Sequence, residues 1–174
     1  MDAVFGASLS FPSGGGYGNA LLVRGRIGAW SLRRLPRMPG SEPRTALVAR
    51  VRTGGADLTV VATHLAVRTV EACVQLARLL DRAAGPALQR GEQVVVVGDL
   101  NLRPRHVGPA AARRGLSMVP FPPTFPAAAP SRHIDHILVP ESVVAASIDT
   151  RSLAVSDHLA VIVGLGAGMA AAVE

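Results

Sequence analysis

Two polar residues directly follow an apolar stretch near the middle of the chain. Asp99 and Asn101 lie two positions apart, immediately after Val94 to Val97. In extended backbone, residues two apart point to the same side, so this carboxylate and this amide could orient and polarise a water molecule together. A Gly-Asp-x-Asn sequence is equally typical of a turn in which Asp or Asn caps the next segment. From this motif alone both interpretations stay open.

Histidines elsewhere in the chain offer related chemistry. Asp157 and His158 pair a hard oxygen ligand with an imidazole, which suits metal binding together with proton transfer or charge stabilisation. A turn aspartate beside an exposed histidine would have the same sequence. His64 follows the apolar run Leu58 to Thr63. A single histidine at the end of a strand is more often a surface or core residue than a catalyst.

A denser cluster occurs at His133-Ile134-Asp135-His136. In a strand, His133 and Asp135 would share one face, and Ile134 and His136 would share the other. A carboxylate in an apolar strand is costly to bury unless a partner pairs with it, and a histidine from a neighbouring loop would serve. The cluster could instead bind a transition metal by itself, although two histidines on opposite faces disfavour this.

Short runs of apolar and β-branched residues predict the strands that position these motifs. The predicted strands are Asn19 to Arg24, Thr45 to Arg52, Leu58 to Thr63, Val94 to Val97, His133 to Val139, Ser147 to Leu153 and Leu159 to Val163. Gly54 and Gly55 between the second and third runs can supply the positive φ of a tight turn, so we expect an antiparallel hairpin there.

The remaining segments predict helices and one long loop. Apolar residues recur at helical spacing from about residue 68 to residue 84, which predicts an amphipathic helix interrupted at Gly85-Pro86. A short second helix is expected near Val107 to Arg114. The stretch from Pro120 to Pro130 holds five prolines and predicts an extended surface loop that borders the cleft.

The composition limits the class of protein. The 174 residues are 49% hydrophobic, which suits one globular domain. No apolar run approaches the roughly 20 residues of a membrane span, and no secretion signal is evident, so we expect a cytoplasmic monomer. The net charge of +6 could reflect a polyanionic partner, but every basic residue is Arg, which also fits the coding bias of a GC-rich genome. Aromatic residues make up only 3%, which argues against a reader of single-stranded nucleic acid.

Taken in order, the motifs form a pattern. It runs through Tyr17-Gly18-Asn19-Ala20-Leu21-Leu22, Thr63-His64-Leu65, Gly98-Asp99-Leu100-Asn101, Ile134-Asp135-His136 and Ser156-Asp157-His158. This order and spacing resembles the endonuclease/exonuclease/phosphatase superfamily, whose members include deoxyribonuclease I, abasic-site endonucleases, sphingomyelinases and inositol phosphatases. The resemblance extends from about Phe5 to Val163.

The resemblance implies a fold and its boundaries. It implies an α/β protein built as a four-layer α/β/β/α sandwich of the deoxyribonuclease I-like type, with the domain at residues 1–165 and a flexible tail at 166–174. Family members usually begin with a strand bearing an Asn, a helix, and a strand ending in Gln-Glu, whose Glu binds Mg²⁺. This strand-helix-strand segment has no counterpart here. We therefore expect a start codon assigned too far downstream, a fragment, or a degenerate member.

The resemblance also implies a metal-dependent hydrolase of phosphoester bonds. Asp99 would activate the attacking water, and Asn101 would hold the water and the phosphate. His158, oriented by Asp135, would stabilise the charge of the transition state, while Asp157 would bind Mg²⁺ or Mn²⁺.

Three further positions match the family less specifically. His64 would assist leaving-group protonation or phosphate binding, and Arg44 would contact the substrate. Asn19 could contact the substrate or make a structural hydrogen bond. The partner would be a phosphate ester, with nucleic acid among the candidates. The alternative is an impaired or inactive module that binds a phosphate ligand, because the metal-binding Glu is absent.

Overall fold

The computed structural model describes residues 1–167, so most of the predicted tail, residues 168–174, lies outside the described part. The strands are β1 (Asp2–Ser10), β2 (Gly16–Val23), β3 (Arg26–Arg34), β4 (Thr45–Thr53), β5 (Ala56–His64), β6 (Gln93–Asp99), β7 (Leu116–Met118), β8 (Asp135–Pro140), β9 (Val143–Arg151) and β10 (Ala160–Ala167). The helices are α1 (Thr69–Leu79), α2 (Gly85–Gln89) and α3 (Pro104–Ala112), and a π-helical turn at Leu80–Ala84 joins the first two.

Six strands form the central sheet, in the order β3-β4-β5-β6-β8-β7. The β5–β6 pair is parallel, and the other neighbours in this sheet are antiparallel. A parallel pair needs a long crossover, which α1, the π-helical turn and α2 provide. The α/β sandwich of the deoxyribonuclease I-like type that the sequence predicts is confirmed.

The two faces of this sheet carry different layers, as the alternation along β6 shows. Val94 and Val96 pack with residues of the helices in the largest core cluster. Val95 and Val97 face the opposite side, where two separate hairpins, β1-β2 and β9-β10, complete two smaller apolar clusters. Within the described residues, the helices therefore cover one face of the sheet and the hairpins cover the other.

The first helix forms because its apolar residues recur every three or four positions, and Ala72, Leu76 and Leu79 are fully or almost fully buried. The predicted interruption at Gly85-Pro86 is wrong, since helical backbone continues from the π-helical turn into α2. Pro86 lies in the first turn of α2, where its missing N–H removes no hydrogen bond that the helix needs.

The predicted hairpin of β4 and β5 is confirmed. Thr53 pairs with Ala56, and the intervening Gly54 and Gly55 have φ of 57° and 81°. Positive φ at both central residues gives a turn whose twist matches that of the strands. This hairpin places His64 at the end of β5, beside Asp99 at the end of β6.

Several strands differ from the prediction. β1, β3 and β7 were not predicted, because they alternate poorly. For example, β3 exposes its three arginines and Trp30 along an edge of the sheet. The strand predicted to begin at His133 begins at Asp135, and β9 begins at Val143 rather than Ser147. The last strand continues to Ala167, beyond the predicted start of the tail.

The segment between β7 and β8 contains an isolated bridge from Phe125 to Arg132 and is otherwise irregular. This fits the predicted loop, but its middle is not a surface feature, because Thr124 is fully buried and Phe121 is 7% exposed. Ala127 N donates to Asp157 O, and Leu159 N donates to Thr124 O, so the loop does border the segment that carries His158. No helix in the described residues is long and apolar enough to cross a membrane.

Candidate active site

Three polar residues lie side by side across neighbouring strands. His64 at the end of β5 pairs with Asp99 at the end of β6, and Asp99 pairs in turn with Asp135 at the start of β8. Leu65 N donates to Asp99 O, and Leu100 N donates to Ile134 O, both at 2.9 Å, so the pairing extends beyond the named residues. The sheet itself therefore brings three motifs that are far apart in sequence to one edge.

Gly98 makes this pairing possible. Its φ is +144°, and a Cβ at this position would lie 1.8 Å from Thr63 O. A side chain cannot fit at that distance from a backbone oxygen, so residue 98 must be Gly for β5 and β6 to approach each other at the site.

Asp99 serves as both a turn residue and a free carboxylate. Its Oδ1 accepts a hydrogen bond of 2.8 Å from Asn101 N, while its Oδ2 lies 3.5 Å from His64 Nε2 and 3.8 Å from His158 Nε2. The contact of Oδ1 confirms the turn interpretation of the Gly-Asp-x-Asn motif, and the interpretation that Asp99 orients a water molecule stays a prediction. Burial raises the pKa of the Asp99 carboxyl above its ordinary value; the hydrogen bond from Asn101 opposes this and the nearby Asp135 adds to it.

Asn101 is held by the loop rather than by an extended strand. Its φ is +51°, and its Nδ2 donates to Leu65 O at 3.1 Å. The side chains of Asp99 and Asn101 are therefore not arranged by strand alternation, because the backbone of Asn101 is no longer extended. The amide oxygen of Asn101 accepts no hydrogen bond from a described residue.

Asp135 and His158 are in direct contact. Asp135 Oδ2 lies 2.7 Å from His158 Nδ1 and also accepts a hydrogen bond from the buried Thr124 hydroxyl. A carboxylate can only accept, so His158 Nδ1 carries the hydrogen and Nε2 is turned toward Asp99. The ring of Phe125 packs against His158 with a centroid separation of 4.7 Å. These contacts fix the orientation of the imidazole.

His64 has a different environment. Tyr17 on β2 places its hydroxyl 2.5 Å from His64 Nδ1, and Arg44 Nη1 donates to the same hydroxyl at 3.0 Å. Burial, with smaller contributions from the positive charge of Arg44 and from the neighbouring His158, lowers the pKa of His64 to about 4. His64 is therefore neutral near pH 7.

Arg44 and Asn19, the two predicted substrate-binding residues, are placed differently from each other. The Arg44 side chain is 7% exposed, forms an ion pair of 3.2 Å with Glu42, and contacts the Tyr17 ring. Asn19 Nδ2 donates to Thr45 O at 3.0 Å and thus ties β2 to β4. The structure gives Asn19 the structural hydrogen bond that the sequence allowed, and it brings Arg44 into the network around His64.

The predicted metal ligand Asp157 lies at the surface. Its backbone oxygen accepts from Ala127 N at 2.7 Å, and its side chain is exposed. Within the described residues, the donors that converge are instead Asp99, Asp135 and His158, whose ligand atoms lie within 4.8 Å of one another. Two carboxylates and an imidazole can hold a divalent transition metal, and the carboxylates suit Mg²⁺.

The remaining histidines of the His133 to His136 cluster face inward. Their rings stack with a centroid separation of 4.9 Å and an interplanar angle of 15°, so the prediction that they point to opposite faces is wrong. It fails because regular strand begins only at Asp135. His136 is 2% exposed and bonds Leu102 O through Nε2 at 2.7 Å, which makes it a core residue.

Sequence reasoning assigned no role to Tyr17, Thr124 and Phe125, although all three contact a candidate site residue. Tyr17 was noted only as part of a strand, and Thr124 and Phe125 lie among prolines where no periodicity exists. The only available signal was the position of the proline-rich loop ahead of the Asp135 motif.

The sequence matches the Endonuclease/Exonuclease/phosphatase family over residues 2–158, and the chain belongs to this family. No curated protein matches the chain. The family membership agrees with the order of the motifs and with their convergence at one edge of the sheet.

Solved structures of the same fold are similar at low sequence identity. An endonuclease/exonuclease/phosphatase from Beutenbergia cavernae aligns with a TM-score of 0.74 and 22% identity, over 95% of this chain and 53% of that one. A mannosyl-6-phosphatase from Bacteroides thetaiotaomicron gives 0.73 and 15%, over 95% and 76%. TDP2 from D. rerio, complexed with a single strand DNA product, gives 0.68 and 17%, over 94% and 77%. This chain thus spans about half the length of the Beutenbergia protein, and these likenesses establish the fold.

Proposed function

We propose that this cleft hydrolyses a phosphoester with the help of a divalent cation, Mg²⁺ or Mn²⁺. The observation that carries the proposal is the convergence of Asp99 Oδ2 with the Nε2 atoms of His64 and His158, at 3.5 and 3.8 Å. A carboxylate that can orient water and two imidazoles that can contact phosphate oxygens then surround one small space. Such an arrangement suits displacement at phosphorus, where positioning and charge stabilisation supply most of the catalysis.

In this proposal Asp99 orients the attacking water. Its Oδ1 is fixed by Asn101 N, so Oδ2 is the oxygen left to accept a hydrogen from water. The free amide oxygen of Asn101 is a second acceptor near the same turn. The water oxygen forms a bond to phosphorus, the ester oxygen leaves with the bonding electron pair, and the proton lost by the water passes to solvent through Asp99.

In this proposal His158 stabilises the transition state. The Asp135 carboxylate accepts the hydrogen of His158 Nδ1, so Nε2 is the ring atom that faces Asp99, and a hydrogen on Nε2 would be donated to a phosphate oxygen there. The buried Thr124 hydroxyl holds Asp135 in place, so the donor is oriented before substrate arrives. A preorganised donor of this kind lowers the energy of the charge that develops on the phosphoryl oxygens.

The donor set of the cleft fits a divalent cation. Asp157, whose exposed side chain lies outside the converging group of Asp99, Asp135 and His158, is proposed as the carboxylate that holds it. When bound, the cation would offset the negative charge of the phosphate. Assignment of Asp157 rests on the family pattern, and loss of Mn²⁺ binding in Asp157→Asn, followed by electron paramagnetic resonance, is the result that supports it.

The substrate class proposed is a phosphate ester, with nucleic acid as one candidate. The net charge of +6 favours a polyanion. The similar structures include a mannosyl-6-phosphatase and TDP2 complexed with a single strand DNA product. The fold alone therefore does not distinguish phosphomonoesters from phosphodiesters as substrates. A panel of a short DNA, a phospholipid and a sugar phosphate would identify the class.

The direct test is hydrolysis of p-nitrophenyl phosphate and bis(p-nitrophenyl) phosphate with Mg²⁺ or Mn²⁺, with and without chelator. We expect metal-dependent release of nitrophenol that falls by about 100-fold or more in Asp99→Ala and His158→Ala. Asp149→Ala is the matched control, because Asp149 is an exposed carboxylate on β9 paired with Arg151. Rates that survive in both cleft variants would refute the assigned roles.

A second candidate is a module that binds a phosphate ligand without turnover. The hydrogen bonds of Asp135 favour this candidate, because its Oδ2 already accepts from Thr124 and His158. Of the two carboxylates that converge in the site, Asp99 is therefore the one with more capacity left to bind a metal ion. Mg²⁺ held by so few carboxylates would bind weakly. Calorimetry with Mg²⁺ and inorganic phosphate separates the two: phosphate binding without metal binding or hydrolysis favours the module.

A further inference from the structure

We infer that Tyr17 is a positioning residue that holds His64 in the tautomer with its hydrogen on Nε2, so that His64 donates to a phosphate oxygen instead of protonating the leaving group. This inference rests on the proposed function for its role in turnover. The tautomer itself follows from the hydrogen bonds of the described residues.

The first step concerns which atoms can donate. A guanidinium has donors only, so Tyr17 accepts the 3.0 Å hydrogen bond from Arg44 Nη1. The phenol has a single hydrogen, and the atom placed to receive it is His64 Nδ1 at 2.5 Å. His64 Nδ1 is therefore an acceptor without its own hydrogen, and the hydrogen of the neutral ring lies on Nε2.

The other end of the ring requires the same tautomer. His64 Nε2 lies 3.5 Å from Asp99 Oδ2. A lone pair on Nε2 would face the lone pairs of the carboxylate, whereas an N–H on Nε2 is attracted to them. The buried cation of Arg44, 7% exposed, also opposes a second positive charge on the nearby imidazole. Both ends of the ring thus favour one neutral form.

This form limits what His64 can do in the reaction. A neutral imidazole with hydrogen on Nε2 and with Nδ1 bonded to Tyr17 can donate a hydrogen bond to a phosphate oxygen. Giving that hydrogen away to a leaving group would produce an imidazolate anion beside Asp99, which is unfavourable. The leaving group therefore takes its proton from a source other than His64.

The tautomer can be tested without turnover. Long-range ¹H–¹⁵N spectra of the whole chain at neutral pH should show His64 protonated at Nε2 and unprotonated at Nδ1. Tyr17→Phe keeps the ring and removes the hydroxyl, and it should move the ¹⁵N shifts toward a tautomer mixture. Phe11→Leu, an exposed side chain in the turn after β1, is the matched control and should leave them unchanged. A His64 protonated at Nδ1, or spectra unaltered by Tyr17→Phe, would overturn the inference.

The role in turnover is tested by comparing leaving groups. His64→Ala should lower kcat/KM by a similar factor for a nitrophenyl ester, which needs no protonation, and for an alkyl ester, which does. Tyr17→Phe should lower both by about three- to tenfold, the effect of one hydrogen bond. A far larger loss for the alkyl ester would show that His64 protonates the leaving group and would overturn this role. Failure of the proposed function would instead appear as no hydrolysis by the wild type, with the spectra still deciding the tautomer.

Discussion

Replacing Asp135 by Asn tests whether one carboxylate orients the imidazole of His158. Asp135 Oδ2 receives hydrogen bonds from His158 Nδ1, at 2.7 Å, and from the fully buried Thr124. Asn keeps the size but removes the negative charge that receives the hydrogen of His158 Nδ1. A hydrogen bond to a charged group contributes about 1.5–3 kcal/mol. Loss of that amount from the transition state lowers kcat by about 10- to 150-fold.

The assay is metal-dependent hydrolysis of a nitrophenyl phosphodiester, with kcat and KM determined separately. We expect the loss in kcat, with a smaller change in KM, because His158 acts on charge that develops during the reaction. Asp149→Asn, an equally conservative change at an exposed position, serves as the control. A kcat for Asp135→Asn within about twofold of wild type would refute the reasoning, provided that circular dichroism shows a folded protein.

Further predictions concern stability. Glu71 is 2% exposed and accepts hydrogen bonds from one backbone N–H and one hydroxyl of the loop before β4. Glu71→Ala should therefore lower the free energy of unfolding, measured in urea, by about 3 kcal/mol. The control Glu141→Ala, at an exposed position, should change it by less than about 0.5 kcal/mol. Gly98→Ala should prevent stable folding, seen as loss of the thermal transition, whereas Gly91→Ala, with φ +71° and nothing within 4 Å, should cost only about 1 kcal/mol; equal effects would contradict the close approach. Burial lowers the pKa of His136 from 6.5 to about 4, so the unfolded chain takes up a proton first and stability falls as the pH drops through this window. In His136→Gln the loss of unfolding free energy between neutral and acidic pH should be smaller by up to about 3 kcal/mol, as measured by urea titrations at successive pH values. The same pH dependence in the variant and the wild type would exclude His136 as the cause of this loss.

The part of the site that could be predicted from sequence depended on local pattern. The valine run fixed where Asp99 would leave a strand, and the cost of burying Asp135 among apolar residues indicated that a histidine would pair with it. The two residues Gly54 and Gly55 predicted their hairpin for a local reason as well, since their φ values need Gly. In each case the information lay within a few residues.

The remainder depended on contacts between distant segments. Tyr17 reaches His64 across 47 positions because the β1-β2 hairpin folds onto the sheet, and nothing near Tyr17 in sequence signals this. The edge strand β3 has arginines on an exposed surface, so its sequence lacks the alternation of apolar and polar residues that marks a half-buried strand. Asn101 departed from strand geometry because its positive φ comes from the turn that Asp99 closes.

The central claim is that water attacks phosphorus in this cleft. It is tested most directly by hydrolysis of a phosphodiester in H₂¹⁸O with Mn²⁺, followed by mass spectrometry of the products. We predict one ¹⁸O atom in the phosphate-bearing product and no label in the released alcohol. In the same time, Asp99→Ala should form about 100-fold less labelled product, and chelator should prevent its formation. Label in the alcohol, or the same labelled yield from Asp99→Ala as from the wild type, would contradict the account.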